Sequence, residues 1–127
     1  MKKEIINIQG APAPIGPYSQ GVKINGVLYL SGQIAIDPNS GELKTDSIEV
    51  QTKQVMNNIE ALLSEAGMKW ENVIKASIFI SDMNNFAEIN EIYASYFTTD
   101  FPARETVEVS RLPKDVDVEI SITAFEA

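Results

Sequence analysis

The chain has 127 residues, of which 44% are hydrophobic and 22% charged, and these values are typical of one globular domain with a buried core. It contains no cysteine and no histidine, so disulfides, thiolate or imidazole metal sites, cysteine nucleophiles and Ser-His-Asp catalysis are excluded, and catalysis must use other groups. The formal net charge of −8, with no cluster of Lys and Arg, argues against nucleic-acid binding.

The start of the chain carries no sign of export or membrane insertion. Lys2 and Lys3 are not followed by an apolar segment of signal-peptide length. The longest plain apolar run, Val27–Leu30, is far too short to cross a bilayer. We therefore expect a cytoplasmic protein without membrane association, built as a single domain over residues 1–127.

The first third of the chain predicts three short strands. Residues 4–8 are β-prone, and the Gly- and Pro-rich residues 9–17 predict a rigid loop. The dipeptide Asn25-Gly26 lies between two apolar runs and predicts a hairpin. Ser31-Gly32-Gln33 follows the second of these strands, where Gly32 would let a backbone or a ligand approach closely.

Two amphipathic helices are predicted in the middle of the chain, separated by an alternating strand at residues 73–81. The first helix is expected to end at Gly67. Aromatic residues dominate the apolar stripe of the second helix and are interpreted as core. Capping pairs mark the two starts: Asp46 with Glu49, and Asn85 with Glu88.

The last quarter of the chain, residues 101–127, predicts two half-buried strands joined by a turn at Pro113. Alternation assigns Val107 to the core side of the first strand and Arg104 to the opposite side. Glu119 points away from the core on the second strand. We therefore expect Arg104 and several acids, including Glu119, to lie together on the non-core face.

Arg104 is informative because the chain has only two arginines, the other being Arg111. A guanidinium stays charged and presents a planar fork that fits a carboxylate or a phosphate. The alternative is that Arg104 simply pairs with one of the 18 acids. The residues alone leave both interpretations open.

The predicted order is β-β-β-α-β-α-β-β, which indicates an α+β protein with a single mixed β-sheet and two helices on one face. The other face then carries a mixture of apolar and polar side chains. On a small domain such a face is often covered by another copy of the chain. We therefore expect a homo-oligomer, with any site between subunits.

Several segments together resemble the Rid proteins, the reactive intermediate (enamine/imine) deaminases that are also called the YjgF family. The resemblance covers essentially the whole chain and points to the RidA-like branch. The segments are Ile15-Gly16-Pro17-Tyr18-Ser19-Gln20-Gly21, Ser31-Gly32-Gln33, Pro102-Ala103-Arg104 with Val107, and Leu112-Pro113-Lys114-Asp115 ending in Val118-Glu119-Ile120.

The resemblance implies a chorismate-mutase-like fold assembled as a homotrimer, with three clefts between neighbouring subunits. It implies hydrolysis of 2-imino acids and their enamine tautomers to 2-oxo acids and ammonia, without a cofactor or a metal. Such substrates, for example 2-aminoacrylate, are released by pyridoxal-phosphate enzymes that act on serine or threonine.

The resemblance also implies residue roles. Arg104 matches the carboxylate-binding arginine of the family, and Glu119 matches the acid near the attacking water. Thr106 stands where many deaminating members have a cysteine, so its hydroxyl would fill the polar position and no role can need a thiol. The other positions that match cleft residues are Tyr18, Ser31, Gly32 and Asn90. A cleft that excludes water would raise the pKa of Glu119 and make it a better base.

Other functions remain open. A non-catalytic module that binds a 2-oxo acid or an amino acid as a sensor or regulator would use Arg104 equally well. Nucleolytic activity is a rival because some family relatives carry that label, but the net charge of −8 and the lack of histidine argue against it. Chorismate mutase chemistry would need several cationic contacts, and one arginine in the cleft supplies too few.

Overall fold

The structure is a computed structural model that describes residues 2–11 and 14–126. Six strands form one mixed sheet, and two α-helices pack against it, as the sequence predicts. The strands are β1 (Glu4–Ile6), β2 (Gly21–Ile24), β3 (Val27–Leu30), β4 (Val73–Ile80), β5 (Ala103–Glu108) and β6 (Val118–Phe125), and the helices are α1 (Ile48–Glu65) and α2 (Phe86–Ala94).

The strand order across the sheet is β1-β2-β3-β6-β4-β5. Neighbouring strands are antiparallel except β4 and β5, which are parallel and are connected through α2. The last two strands of the chain are therefore not neighbours, because β4 lies between them. This arrangement leaves β5 at the edge of the sheet, beside the helix that precedes it.

One face of the sheet and the two helices enclose the core. Alternate residues of β6 are almost completely buried, and they meet apolar residues of β4 and α1. The intervening residues form the open face, where Tyr29 is 53% exposed. This confirms the alternation predicted for β6 and for β4 from Ala76 onward, but Ile74, which the pattern assigns to the core face, is 52% exposed beside a register shift between Val73 and Lys75. The core residues of β6 are Val118, Ile120, Ile122 and Ala124.

The N-cap of α1 differs from the predicted one, whereas the N-cap of α2 is the predicted Asn85 without a side-chain bond. Ser47, in extended backbone, is the N-cap of α1, and its hydroxyl accepts a hydrogen bond from the Val50 amide at 3.1 Å. The predicted cap Asp46 is therefore wrong by one residue. At α2, Asn85 makes no side-chain cap bond, because Asp82 caps a preceding 3₁₀ turn that runs directly into the helix.

The predicted end of α1 is confirmed. Gly67 directly follows the last helical turn with φ = +74°, a conformation that costs glycine little. Within the described ranges, neither α-helix combines the length and the apolar composition that a membrane span requires.

Candidate active site

Arg104 lies on the helix-bearing side of the sheet. In the parallel pairing of β4 with β5 it is opposite Ala76, which is buried beneath the helices. Its Nη1 donates to Asn90 Oδ1 of α2 at 2.6 Å. Its Cζ lies 5.6 Å from the ring centre of Phe86 and 5.2 Å from that of Tyr93. The guanidinium therefore rests on one face of α2.

The prediction that Arg104 shares the non-core face with Glu119 is wrong. Alternation predicts that Val107, being apolar, faces the core, but it pairs with Phe79 on the open face and is 40% exposed. Period-2 alternation assigns faces by hydrophobicity, and this signal fails on an edge strand whose helix side is partly polar.

The neighbours of Arg104 on α2 are one amide side chain and two aromatic rings. No carboxylate within residues 2–11 and 14–126 forms an ion pair with it. Because a guanidinium can only donate, Asn90 must turn Oδ1 towards it, which leaves the Asn90 amide group as a further donor. The interpretation of Arg104 as one half of a surface ion pair is therefore not supported in the described chain.

A cavity of about 420 Å³ opens beside Arg104. The hydroxyls of Tyr93 and Thr106 are buried nearby in the same layer, and neither makes a hydrogen bond to the described part of the chain. Burial raises the pKa of Tyr93, although the charge of Arg104 opposes this, so the phenol stays protonated at neutral pH. The cavity is lined by Asn90, Tyr93, Ala94, Phe101, Pro102 and Arg104.

Glu119 lies on the open face, where it is opposite Phe79 of β4. Its side chain packs on Gly32: a Cβ atom at that position would be only 2.7 Å from Glu119 Cδ. Burial raises the pKa of Glu119, as expected for a carboxyl partly removed from water. Gly32 is therefore needed for the close approach of this carboxyl group.

The segment that carries Gly32 is tied to its neighbours. Ser31 Oγ donates to the Ser19 carbonyl at 2.6 Å, and the Ser31 amide donates to the Gln20 carbonyl at 2.9 Å. These bonds join it to the loop that bears Tyr18, which is 55% exposed. The hydroxyl of Ser31 is thus already engaged in holding this loop.

The predicted site residues fall into two groups. The arginine group consists of Arg104, Asn90 and Thr106, and the glutamate group consists of Glu119, Gly32, Ser31 and Tyr18. The first lies on the helix side of the sheet at its edge. The carboxyl of the second lies on the open face. A single chain therefore does not bring Arg104 and Glu119 together.

Sequence reasoning misses Phe86 and Tyr93 as neighbours of Arg104, because aromatic residues at helical spacing are typical of a core. Tyr93 does belong to the core, being 3% exposed, but its ring also contacts the guanidinium. The spacing of these residues in the sequence is the signal that could have identified them. Phe86, Asn90 and Tyr93 are spaced by four and three residues, which places them on one helix face.

Comparison with known proteins places this arrangement in a family. The family model described as endoribonuclease L-PSP matches residues 8–126. The chain is 51% identical to a RutC family protein, PH0854, of Pyrococcus horikoshii, with 98% of both chains covered. It is 41% identical to the bovine 2-iminobutanoate/2-iminopropanoate deaminase, covering 98% of this chain and 90% of that protein.

Solved structures with similar folds point to the same family. A Rid-family protein of unknown function, YyfA from Yersinia pestis, has a TM-score of 0.94 and 50% identity, with 98% of this chain and 100% of that chain covered. Escherichia coli TdcF with bound serine has a TM-score of 0.91 and 39% identity, covering 98% and 99%.

The class of the protein is α+β, with one mixed sheet and two helices. It has a cavity at the edge of the sheet, beside the exposed side chain of Arg104. Together with the matched family model and relatives, these features identify its family. The chain belongs to the Rid (YjgF) family, which confirms the resemblance found in the sequence.

Proposed function

We propose that this protein is a hydrolytic deaminase that converts 2-imino acids and 2-enamines to 2-oxo acids and ammonia. The observation that carries the proposal is the guanidinium of Arg104, which borders a cavity and forms no ion pair in the described chain. A 2-imino acid has a carboxylate next to its electrophilic carbon. The Arg104 fork would bind that carboxylate and fix the carbon for attack. The name of the bovine relative supports the same reaction.

Glu119 is proposed to order and activate the attacking water. Its raised pKa makes the carboxylate a stronger base than an ordinary glutamate. Water would add to C2 of the protonated imine while Glu119 takes a proton from the water. Glu119 would then pass this proton to the nitrogen of the carbinolamine and take the proton of its hydroxyl as the C–N bond breaks, which releases ammonia and leaves the 2-oxo acid. The imine is already reactive, so the barrier left to lower is modest, and this sequence of steps uses no covalent intermediate on the protein.

We propose further that each site is shared between two chains of a homotrimer, each chain being one Rid-type domain located in the cytoplasm. Arg104 and Glu119 occupy opposite sides of one sheet, so a site containing both needs a second copy. The arginine group of one chain would face the glutamate group of its neighbour. Gly32, Ser31 and Tyr18 would line the second half of the cleft.

The proposal is tested by pyruvate release. A pyridoxal-phosphate dehydratase generates 2-aminoacrylate from serine. Enough dehydratase is added that hydrolysis of the imine limits the rate of pyruvate release. Wild-type protein should accelerate pyruvate release, and Arg104→Ala should abolish the acceleration. Arg111→Ala is the matched control, because Arg111 is the other arginine, is exposed and pairs with Asp115. Equal activity of wild type and Arg104→Ala would overturn the assignment of Arg104.

A binding module is the second candidate, supported by the serine bound in TdcF. An amino acid or a 2-oxo acid offers Arg104 the same carboxylate as the imine does. Isothermal titration with 2-oxobutanoate separates the two functions. Binding that depends on Arg104, with no acceleration of pyruvate release, would favour the binding module. Nucleolytic activity, which the description of the family model names, gains no support from a chain of net charge −8.

A further inference from the structure

One face of α2 holds the guanidinium of Arg104 at three points. The ring of Phe86, the amide oxygen of Asn90 and the ring of Tyr93 all contact it, at 5.6, 2.6 and 5.2 Å. A guanidinium over an aromatic ring is attracted by the negative face of the ring. The hydrogen bond from Nη1 to Asn90 Oδ1 adds a fixed direction. These contacts restrict a side chain that otherwise rotates freely.

Tyr93 is the most buried of the three. Its ring is 3% exposed and packs against Phe97 with the ring centres 5.0 Å apart. Phe97 in turn contacts Trp70 and Phe101 at 5.3 and 6.0 Å. The phenol hydroxyl makes no hydrogen bond to any described residue. Tyr93 therefore acts on Arg104 through the face of its ring, on a platform that the aromatic cluster keeps in place.

We propose that Tyr93, assisted by Phe86, is a positioning residue that pre-orients Arg104 to receive the carboxylate of a ligand. A free arginine side chain loses rotamer freedom when it binds, and this loss weakens binding. A guanidinium that is already held on the platform avoids much of this cost. The inference rests on the proposed role of Arg104 and assigns to that site a residue that does not need to touch the substrate.

The effect on the ligand is measured by titration with 2-oxobutanoate. Tyr93→Leu removes the ring face and should weaken binding roughly 3- to 30-fold, the range expected for a lost cation–π contact. Tyr93→Phe keeps the ring and should restore affinity to near the wild-type value. In the deaminase assay Tyr93→Leu should raise KM more than it lowers kcat. If Tyr93→Phe binds as weakly as Tyr93→Leu, the hydroxyl is the active part and the inference is wrong.

A second readout does not depend on activity. Arg104 and Arg111 are the only arginines, so protein labelled with ¹⁵N-arginine gives two assignable Nε–H signals. In Tyr93→Leu the Arg104 Nε–H signal should change its chemical shift and become narrower, because the guanidinium rotates more freely. In Tyr93→Phe neither the chemical shift nor the line width should change. Arg111, exposed and paired with Asp115, serves as the internal reference.

Tyr96→Leu is the matched control variant. Tyr96 is one turn further along the chain, contacts Trp70 at 5.4 Å and has no ring contact with Arg104. If Tyr93→Leu does not fold, Phe86→Leu removes the second ring at a half-buried position and should alter the same signal. Wild type that neither binds nor deaminates would refute the proposed function alone. If the Arg104 signal is unchanged in every folded variant that lacks the ring of Tyr93 or Phe86, these rings do not position Arg104 and the inference is wrong.

Discussion

At the scale of single residues, the partial burial of the Glu119 carboxyl makes its charged form costly for the fold. Burial raises its pKa above the usual value for glutamate, and this shift means that the fold disfavours the charged form. The fold therefore gains stability from Glu119 at acid pH and loses it as the pH rises through the raised pKa. A carboxylate whose charged form is disfavoured by the fold binds a proton more readily, and this fits the proposed role of Glu119 as a base.

The raised pKa of Glu119 leads to a test with glutamine. Glu119→Gln removes the charge but keeps the shape, so its free energy of unfolding should exceed that of wild type at neutral pH. The difference should vanish as the pH falls below the usual glutamate pKa, where Glu119 is protonated in both states. Urea unfolding across this pH range measures both effects, and the same variant should lose turnover.

Glu105 on β5 is the matched control for this experiment. The hydrogen bonds from Ser77 and Lys75 lower its pKa, so its charged form is favoured in the fold. Glu105→Gln should therefore be less stable than wild type at neutral pH, and this loss should fade in acid. If Glu119→Gln is also less stable than wild type at neutral pH, the fold stabilises the charged form of Glu119. This result would refute the raised pKa and the role as a base that is built on it.

At this scale the resemblance points to Arg104 and Glu119 from short motifs, but it carries no information on the side of the sheet on which each side chain lies. Alternation then turned Arg104 to the wrong side, because the edge strand exposes Val107 and leaves a polar gap beside α2. The helical pattern predicts only a core position for Tyr93, whereas the side chain both packs in the core and contacts the guanidinium.

At the scale of elements, helix α1 fixes the segment that carries Gly32. Asn58 is 4% exposed, and its Nδ2 donates to the carbonyls of Ile34 and Ile36 at 3.3 and 2.8 Å. Gln33, next to Gly32, pairs through its backbone with Ile120 of the core strand β6. The position of Gly32 under Glu119 thus depends on a side chain in the middle of α1.

Replacing this side chain should loosen the segment. Asn58→Leu removes both donations and leaves the Ile36 carbonyl without this donor, so the free energy of unfolding should fall by about 1–3 kcal/mol. Amide exchange at Gln33 should accelerate, and turnover should fall because Gly32 no longer holds Glu119. Gln54→Ala is the control, since it removes only the bond from Gln54 to Asn58 Oδ1. Wild-type stability and wild-type exchange in Asn58→Leu would contradict this role.

The elements themselves were largely predictable because their signals are local. Asn25-Gly26 specifies the hairpin, and Gly67 with its positive φ ends α1. The strand order required more than local signals, because the insertion of β4 between β5 and β6 depends on long-range pairing. The role of Asn58 is equally hidden in the sequence, since Asn57 and Asn58 are adjacent and identical, and only the structure shows that Asn58 is the buried one.

At the scale of the whole molecule, the two halves of the proposed site are separated. Arg104 and Glu119 lie on opposite sides of the sheet of one chain. The open face around Glu119 also exposes large apolar side chains, with Tyr29 at 53% and Val107 at 40%. Such a face is suited to contact with another copy of the chain, which would also supply the missing half of the site.

Subunit complementation tests this division directly. Arg104→Ala and Glu119→Gln should each be inactive alone. Unfolded together in equal amounts and then refolded, they should form mixed oligomers in which some sites combine an intact Arg104 from one chain with an intact Glu119 from the next. Random assembly makes about a quarter of the sites intact in a closed ring, so about a quarter of wild-type pyruvate release should return.

The controls decide between the two possible locations of the site. The same variants mixed without unfolding should stay inactive, and Arg104→Ala refolded with the double variant Arg104→Ala/Glu119→Gln should regain nothing. Light scattering establishes that the oligomers form and whether they are trimers. If mixed oligomers form but remain inactive, both residues must act within one chain, and because the fold separates them, Glu119 could not be the base for a substrate held by Arg104. Recovered activity requires that the catalytic unit is the contact between two chains, with the sheet of each chain supplying a different half.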